Sequence, residues 1–115
     1  MSHRFNLVNQ GDANIIELSL PIQLDHHEFD KLIEDLEEAM AKTSGDKWII
    51  DLSQVEYTGS AALGLLVNIR QKIKERGGNL VLCGVAPRVS EVLHACSLDR
   101  LFKIVSNRAA ALRVL

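Results

Sequence analysis

The chain has 115 residues, 47% hydrophobic and 24% charged, which is enough for one domain with a full core and too few for two. Thirteen Lys and Arg against fifteen Asp and Glu give a formal net charge of −2, so nothing drives the chain electrostatically toward nucleic acid or an anionic membrane. No apolar run approaches the roughly 20 residues of a membrane span, and Met1-Ser2-His3-Arg4 lacks the apolar core of a signal peptide, so no membrane insertion is expected and the expected location is cytoplasmic.

Phe5 to Val8 and Asn14 to Leu20 read as two strands joined by Gln10-Gly11-Asp12, a turn with hairpin chemistry. Leu24-Asp25-His26-His27-Glu28-Phe29 is a full helix start: Asp25 caps, Glu28 is the acceptor three residues on, and Leu24 can staple to Phe29. That helix buries Phe29, Leu32, Ile33, Leu36 and Met40. Its other face carries Asp30, Glu34, Asp35, Glu37 and Glu38, read as a solvated acidic stripe, and Lys42 and Gly45 mark its end.

Lys47 to Leu52 is nearly continuously apolar, the signature of a central strand covered on both faces. A second helix runs from about Ser60 to Arg76, with Ala61, Ala62, Leu63, Leu65, Leu66 and Ile69 setting its apolar face. Lys72, Lys74 and Arg76 suit its C-terminal dipole, and Gly77-Gly78 stops it. Asn79 to Gly84 is another buried strand, and Pro87 opens a helix with Val89, Val92 and Leu93 inside. Phe102 to Val105 is a last short strand, and Arg108 to Leu115 a final helix. Cys83 and Cys96 are too far apart for a CxxC site and are both expected as reduced core residues.

The order β-β-α-β-α-β-α-β-α predicts an α/β fold: one domain over residues 1–115, with a mixed, mostly parallel sheet of about five strands and about four helices. An antiparallel hairpin begins it, and the later strands are reached by right-handed crossovers. Internal repeats, linkers and low-complexity segments are absent from the sequence.

Catalysis finds little support. The chain has no GxGxxG or GxxxxGK[ST] loop, no HExxH and no GxSxG elbow, since Ser60 stands in Gly59-Ser60-Ala61-Ala62. Ser60 as a hydrolytic nucleophile would need a histidine base and a carboxylate, and none of His3, His26, His27 and His94 is obviously placed to serve. His26 and His27 are adjacent on a helix, point about 100° apart and do not converge on one metal ion. No cofactor is implied. Asp51, at the end of a central strand, either contributes to a ligand site on that sheet edge or satisfies backbone N–H groups of the following turn, the simpler role.

Ser60 has two local readings. It is either the N-cap of its helix or, if Thr58 caps instead, a free hydroxyl in the first turn. In both, free N–H groups and the positive dipole end tolerate added negative charge. A phosphate there would put about −1.5 to −2 charge on the small, apolar surface of Gly59, Ala61 and Ala62 and expel a docked partner.

Asp51-Leu52-Ser53-Gln54-Val55, followed by Ser60 and Leu63-Gly64-Leu65-Leu66, then Gly77-Gly78-Asn79-Leu80-Val81-Leu82 and Ser97-Leu98-Asp99-Arg100-Leu101-Phe102, resembles the STAS domain of anti-sigma factor antagonists. The similarity runs from about Lys47 to Val105. It implies an STAS-like fold and a partner switch: the unmodified protein binds an anti-sigma factor that is also a serine kinase, the kinase uses ATP and magnesium to phosphorylate the antagonist, and a serine phosphatase reverses this. The family's phosphorylated hydroxyl falls on Ser60, and the partner-binding surface on Thr58, Gly59, Ser60, Ala61 and Ala62. Such an antagonist catalyses nothing.

The family motif Asp-Ser-Ser/Thr-Gly-Leu is replaced here by Gly59-Ser60-Ala61-Ala62-Leu63, which removes the carboxylate beside the phosphoacceptor. A second reading therefore stands beside the first: an STAS accessory subunit of a transporter or signalling complex, docked constitutively through the Ser60 helix.

Overall fold

The computed structural model describes residues 4–21, 24–56 and 58–115. Strands β1 (Phe5–Gln10) and β2 (Ala13–Leu18) precede helix α1 (His26–Ala41), and β3 (Lys47–Asp51) leads to α2 (Ser60–Glu75). After them come β4 (Asn79–Cys83), α3 (Pro87–Ala95), a 3₁₀ turn at Leu98–Arg100, β5 (Lys103–Val105) and α4 (Arg108–Val114). The sheet order is β1-β2-β3-β4-β5, with β1 antiparallel to β2 and every other pair parallel. The expected mixed α/β sheet with an N-terminal hairpin is thus the observed one.

Because the parallel strands advance in one direction with a helix in each crossover, crossovers of one hand set α1, α2 and α3 on the same face. That face holds the larger core, where Ile16, Trp48, Ile50 and Leu82 meet Leu32, Leu36, Leu66, Ile69 and Leu93. On the opposite face Ala13, Ile15, Ile49, Val81 and Cys83 pack on Ala111 of α4. Alternate residues of β3 therefore point into separate cores, which is why it reads as one apolar run.

The hairpin turns on Gly11 and Asp12, and Gly11 takes the positive φ of 63° that the first position of such a turn requires. Asp25 caps α1, accepting from the Glu28 amide at 2.7 Å. The reciprocal half of the capping box is not made: the Glu28 carboxylate instead accepts from Arg4 Nη2 at 3.1 Å, because β1 runs close to the helix start. Leu24 and Phe29 are both half-buried against the main core. At the end of α2, the Gly78 amide donates to the Ile73 carbonyl and that of Gly77 to Lys74, so the double glycine forms a Schellman stop. Arg76 reaches back to the Met40 carbonyl at 2.8 Å and lies over the Trp48 ring, 5.3 Å from its centroid, tying the ends of α1 and α2 together.

Two expectations are corrected. Cys83 is buried as expected, but Cys96 is exposed, because it is the C-cap of α3, where the chain turns outward before Ser97. On α1, Asp30, Glu34, Glu37 and Glu38 are exposed, whereas Asp35 lies on the flank toward β1: its side chain is only 16% exposed, and one oxygen pairs with Lys31 at 3.3 Å. An i,i+4 contact shields a residue that the helical period alone assigns to solvent.

Candidate functional site

The C-terminal edge of the sheet is organised by Asp51, the last residue of β3. Its carboxylate accepts from the Ser53 amide at 2.9 Å, the Ser53 hydroxyl at 2.6 Å and Arg108 Nε at 2.7 Å. The turn role expected of Asp51 is therefore realised, together with an ion pair. Burial pushes the carboxyl up, but the Ser53 donors and the Arg108 guanidinium outweigh it and hold Asp51 below the ordinary carboxylate range.

Glu17 of β2 stands directly beside Asp51 in the parallel register, and Arg108 also donates to its carboxylate. One guanidinium, in the first turn of α4, thus neutralises two acids that the strand register places side by side. Asn107 caps that helix through a bond from the Ala110 amide at 2.9 Å. Arg108 and Glu17 were not singled out in the sequence. The usable signal is an acid at or next to the end of each of two neighbouring strands, on one face, a pattern that calls for a cation from elsewhere.

The rest of this edge leaves little room. Gly84 has φ of 66°, and a Cβ there would stand 3.0 Å from Asp51 Oδ1 and 3.1 Å from the Ser53 backbone nitrogen. Neighbouring Cys83 has its thiol pushed up to about 11, first by burial and then by the Asp51 charge, so it stays protonated and unreactive.

From Asp51 the chain passes Leu52 and Val55, both buried plugs, and reaches the start of α2. Leu52 donates to the Cys83 carbonyl at 2.9 Å and Val55 to that of Leu52 at 2.9 Å, so the connection is anchored at its β3 end. The N-cap of α2 is Gly59, with φ −108° and ψ −174° and no capping side chain. Neither Ser60 nor Thr58 caps the helix. Ser60 is its first residue, and Thr58 is 4% exposed with its hydroxyl 3.4 Å from the Gly59 carbonyl.

Gly59, Ser60 and Ala61 are exposed and Ala62 half-exposed, whereas Leu63 turns into the core. The surface is thus small side chains around one hydroxyl, with Thr58 behind it. The first intrahelical bond runs from Leu63 N to Gly59 O at 3.1 Å, leaving the amides of Ser60, Ala61 and Ala62 without an intrahelical acceptor.

The described histidines lie elsewhere. His26 and His27 are exposed at the start of α1, and His94 Nδ1 is 2.8 Å from Asp99 Oδ2; His3 lies outside the described residues. Among the described residues no group of three or more His, Cys, Asp or Glu is arranged to hold a metal ion, and no helix is long and apolar enough to cross a membrane. Chemically, the site offers an accessible alcohol at the positive end of a 16-residue helix, with no base hydrogen-bonded to it among the described residues. It can receive a group from another enzyme and hold an anion there.

Comparison with known proteins places the chain in a family. The STAS domain profile matches residues 6–111. The chain is 26% identical over 98 residues to the anti-sigma F factor antagonist of Paenibacillus polymyxa, covering 85% of this chain and 84% of that protein. It is 27% identical over 97 residues to the anti-sigma-B factor antagonist of Listeria monocytogenes, covering 84% of each. Among solved structures, an anti-sigma-factor antagonist (STAS) domain protein from Planctomyces limnophilus superposes with a TM-score of 0.79 at 27% identity, over 96% of each chain. The unphosphorylated form of the anti-sigma factor antagonist SpoIIAA, 20% identical, shares the fold with a TM-score of 0.73 over 96% of this chain and 95% of that one. With a matching profile over nearly its whole length and a fold that superposes on solved members, the chain belongs to the STAS domain family.

Proposed function

We propose that this protein is an anti-sigma factor antagonist that works as a phosphorylation-switched binding module in transcription control. Unphosphorylated, it docks an anti-sigma factor serine kinase on the surface of Gly59, Ser60, Ala61 and Ala62, with buried Thr58 supporting that surface from behind. The kinase, with ATP and magnesium, transfers a phosphoryl group to Ser60 Oγ, and a serine phosphatase removes it. The protein contributes a surface and an acceptor, no catalysis, and the partners are cytoplasmic.

The observation that carries this reading is the placement of Ser60. It is the exposed first residue of α2, ahead of amides with no intrahelical acceptor and without a capping side chain. A phosphate there gains local N–H donors and the helix dipole, so α2 stays folded while the flat apolar surface acquires about −1.5 to −2 charge. Gly59, standing where the family motif is acidic, does not close the site: a Cβ there would meet nothing within 4 Å.

The test is incubation with the serine-kinase anti-sigma factor encoded nearest to this gene, with ATP and magnesium, followed by mass spectrometry and binding measurements. Phosphorylation is expected at Ser60 alone, absent in Ser60→Ala, with partner affinity reduced at least about tenfold by Ser60→Asp. An unmodified Ser60 together with unchanged binding of Ser60→Asp would refute the proposal.

A further inference from the structure

A wide groove lies away from Ser60, between the outer edge of β1 and the flank of α1. It encloses about 650 Å³ and is bordered by Phe5 and Leu7 beneath and by Lys31, Asp35, Glu38 and Lys42 along the helix. None of residues 58–62 lines it.

The hydrogen-bond parity of the hairpin fixes what this edge offers. The Ser19 amide donates to the Arg4 carbonyl at 2.7 Å, and the register continues through Asn6↔Glu17, Val8↔Ile15 and Gln10↔Ala13. Bonded and non-bonded pairs alternate in an antiparallel ladder, so Asn6, Val8 and Gln10 face β2 and the N–H and C=O groups of Phe5, Leu7 and Asn9 point outward. These are three donors and three acceptors on a six-residue strand. The edge carries no charge, no proline and no lysine, the devices that normally keep edges from pairing. The opposite edge, β5, has three residues and begins with Lys103.

The geometry points to a second copy of this chain as the occupant, its β1 pairing antiparallel with this one across a twofold axis to give a continuous ten-stranded sheet. Side chains stay on their own faces only if residues of like parity oppose. The register that uses all six outward groups sets Leu7 on the axis and Phe5 opposite Asn9 of the second copy. Uncharged strands place no like charges across the seam. The α1 flank carries both signs, two lysines and two acids, so it meets its twofold mate without a net repulsive field.

One feature that the monomer leaves open is met by this pairing. Val8, one of the few large apolar side chains left 37% exposed, is covered by Asn6 of the mate. The arrangement is isologous and closed, and it leaves both Ser60 surfaces free on one particle.

The experiment is sedimentation velocity of the full chain over roughly a hundredfold concentration range, with amide exchange read residue by residue. Expected are a reversible dimer and, in step with it, slowed exchange of the Phe5, Leu7 and Asn9 amides, which exchange fast in the monomer while Asn6, Val8 and Gln10 are protected at every concentration. Val8→Lys, at an exposed position, is expected to raise the dissociation constant at least about tenfold while the fold, judged by circular dichroism, is kept. Asn9→Pro removes an outward N–H and keeps the backbone β1–β2 ladder, and is expected to do the same, with Asn9→Ala, which loses only the side-chain bond to Asn14 at 3.1 Å, as its control. A monomer at all concentrations, a dimer indifferent to both substitutions, or dimerisation without protection at Phe5, Leu7 and Asn9 would overturn the inference.

Discussion

Replacing Arg108 by alanine removes the cation shared by Asp51 and Glu17, and the cost follows from how far each pair is screened. The Asp51 side chain is only 11% exposed, so its bond to Arg108 Nε is a charge-assisted contact in a largely dry setting, worth about 2 kcal/mol. Glu17 and Arg108 are each 32% exposed, and that pair adds roughly 0.5 kcal/mol. The expected loss is about 2.5 kcal/mol at neutral pH, or roughly 10 °C in Tm for a chain of this size. The pH dependence has a definite sign. Asp51 is held below its ordinary range, so its contribution is complete above the unfolded carboxylate pKa and is lost as pH falls through the folded one. Without Arg108 the carboxyl is no longer held down as strongly, so the gap between wild type and variant is largest near pH 7 and narrows on acidification. Urea unfolding of wild type, Arg108→Ala and Arg108→Lys at several pH values measures this; lysine, keeping the charge but not the two-armed geometry, is expected to recover about half of the loss. A gap under about 0.5 kcal/mol at pH 7, or one unchanged as pH falls toward 3, would refute the clamp.

Gly84→Ala is expected to destabilise by about 2 kcal/mol in the same assay, since it combines a positive φ with contacts near 3 Å to Asp51 and Ser53. Gly59→Asp supplies a capping carboxylate in open space and is expected to stabilise by a few tenths of a kcal/mol. His94 is expected to titrate above its ordinary value in NMR, held up by its hydrogen bond to Asp99 and the Asp99 charge, and Asp99→Asn to bring it back down. That pair favours the folded state between the lowered pKa of Asp99 and the raised pKa of His94, and its contribution is lost as pH rises through the latter. Cys96 is expected to react with a maleimide in the native protein, and Cys83 only after unfolding.

Much of the fold was legible because its signals are local. The hairpin glycine, the Asp25 cap, the apolar run of β3 and the double glycine after α2 each act within a few residues, and each element formed within a residue or two of its expected limits. The misreadings are non-local. Glu28 reads as part of its own helix cap and pairs instead with Arg4, 24 residues away in sequence. Asp35 reads as a surface acid until β1 is laid against its flank. Arg108 reads as an ordinary helix-start residue, and a cation there is unfavourable to the dipole, until the β2–β3 register places Glu17 and Asp51 under it. In each case the sequence states a local preference and the tertiary contact decides the partner.

At Ser60 the same logic runs in the opposite direction, because a missing local interaction leaves the hydroxyl exposed at the helix start. Had Ser60 been the N-cap, its oxygen would have been spent on an amide two or three residues on, and a modifying enzyme would first have to break that bond. Glycine at position 59 takes the extended cap geometry at no steric cost and contributes no side chain, so Ser60 stands at the first helical position with its hydroxyl unbonded among the described residues. Two alanines follow, one exposed and one half-exposed, and add no hydrogen-bonding side chain that could satisfy the free amides. Leu63, Leu65 and Leu66 meanwhile fix the helix to the core, so the exposed turn stays in place without a cap. The helix thus gives up about 1 kcal/mol of potential capping and retains an accessible alcohol beside N–H groups with no intrahelical acceptor. Under the proposed switch, a substitution that shifts the N-cap of α2 onto Ser60 is expected to lower the rate at which the kinase modifies it, read by mass spectrometry, more than it changes stability.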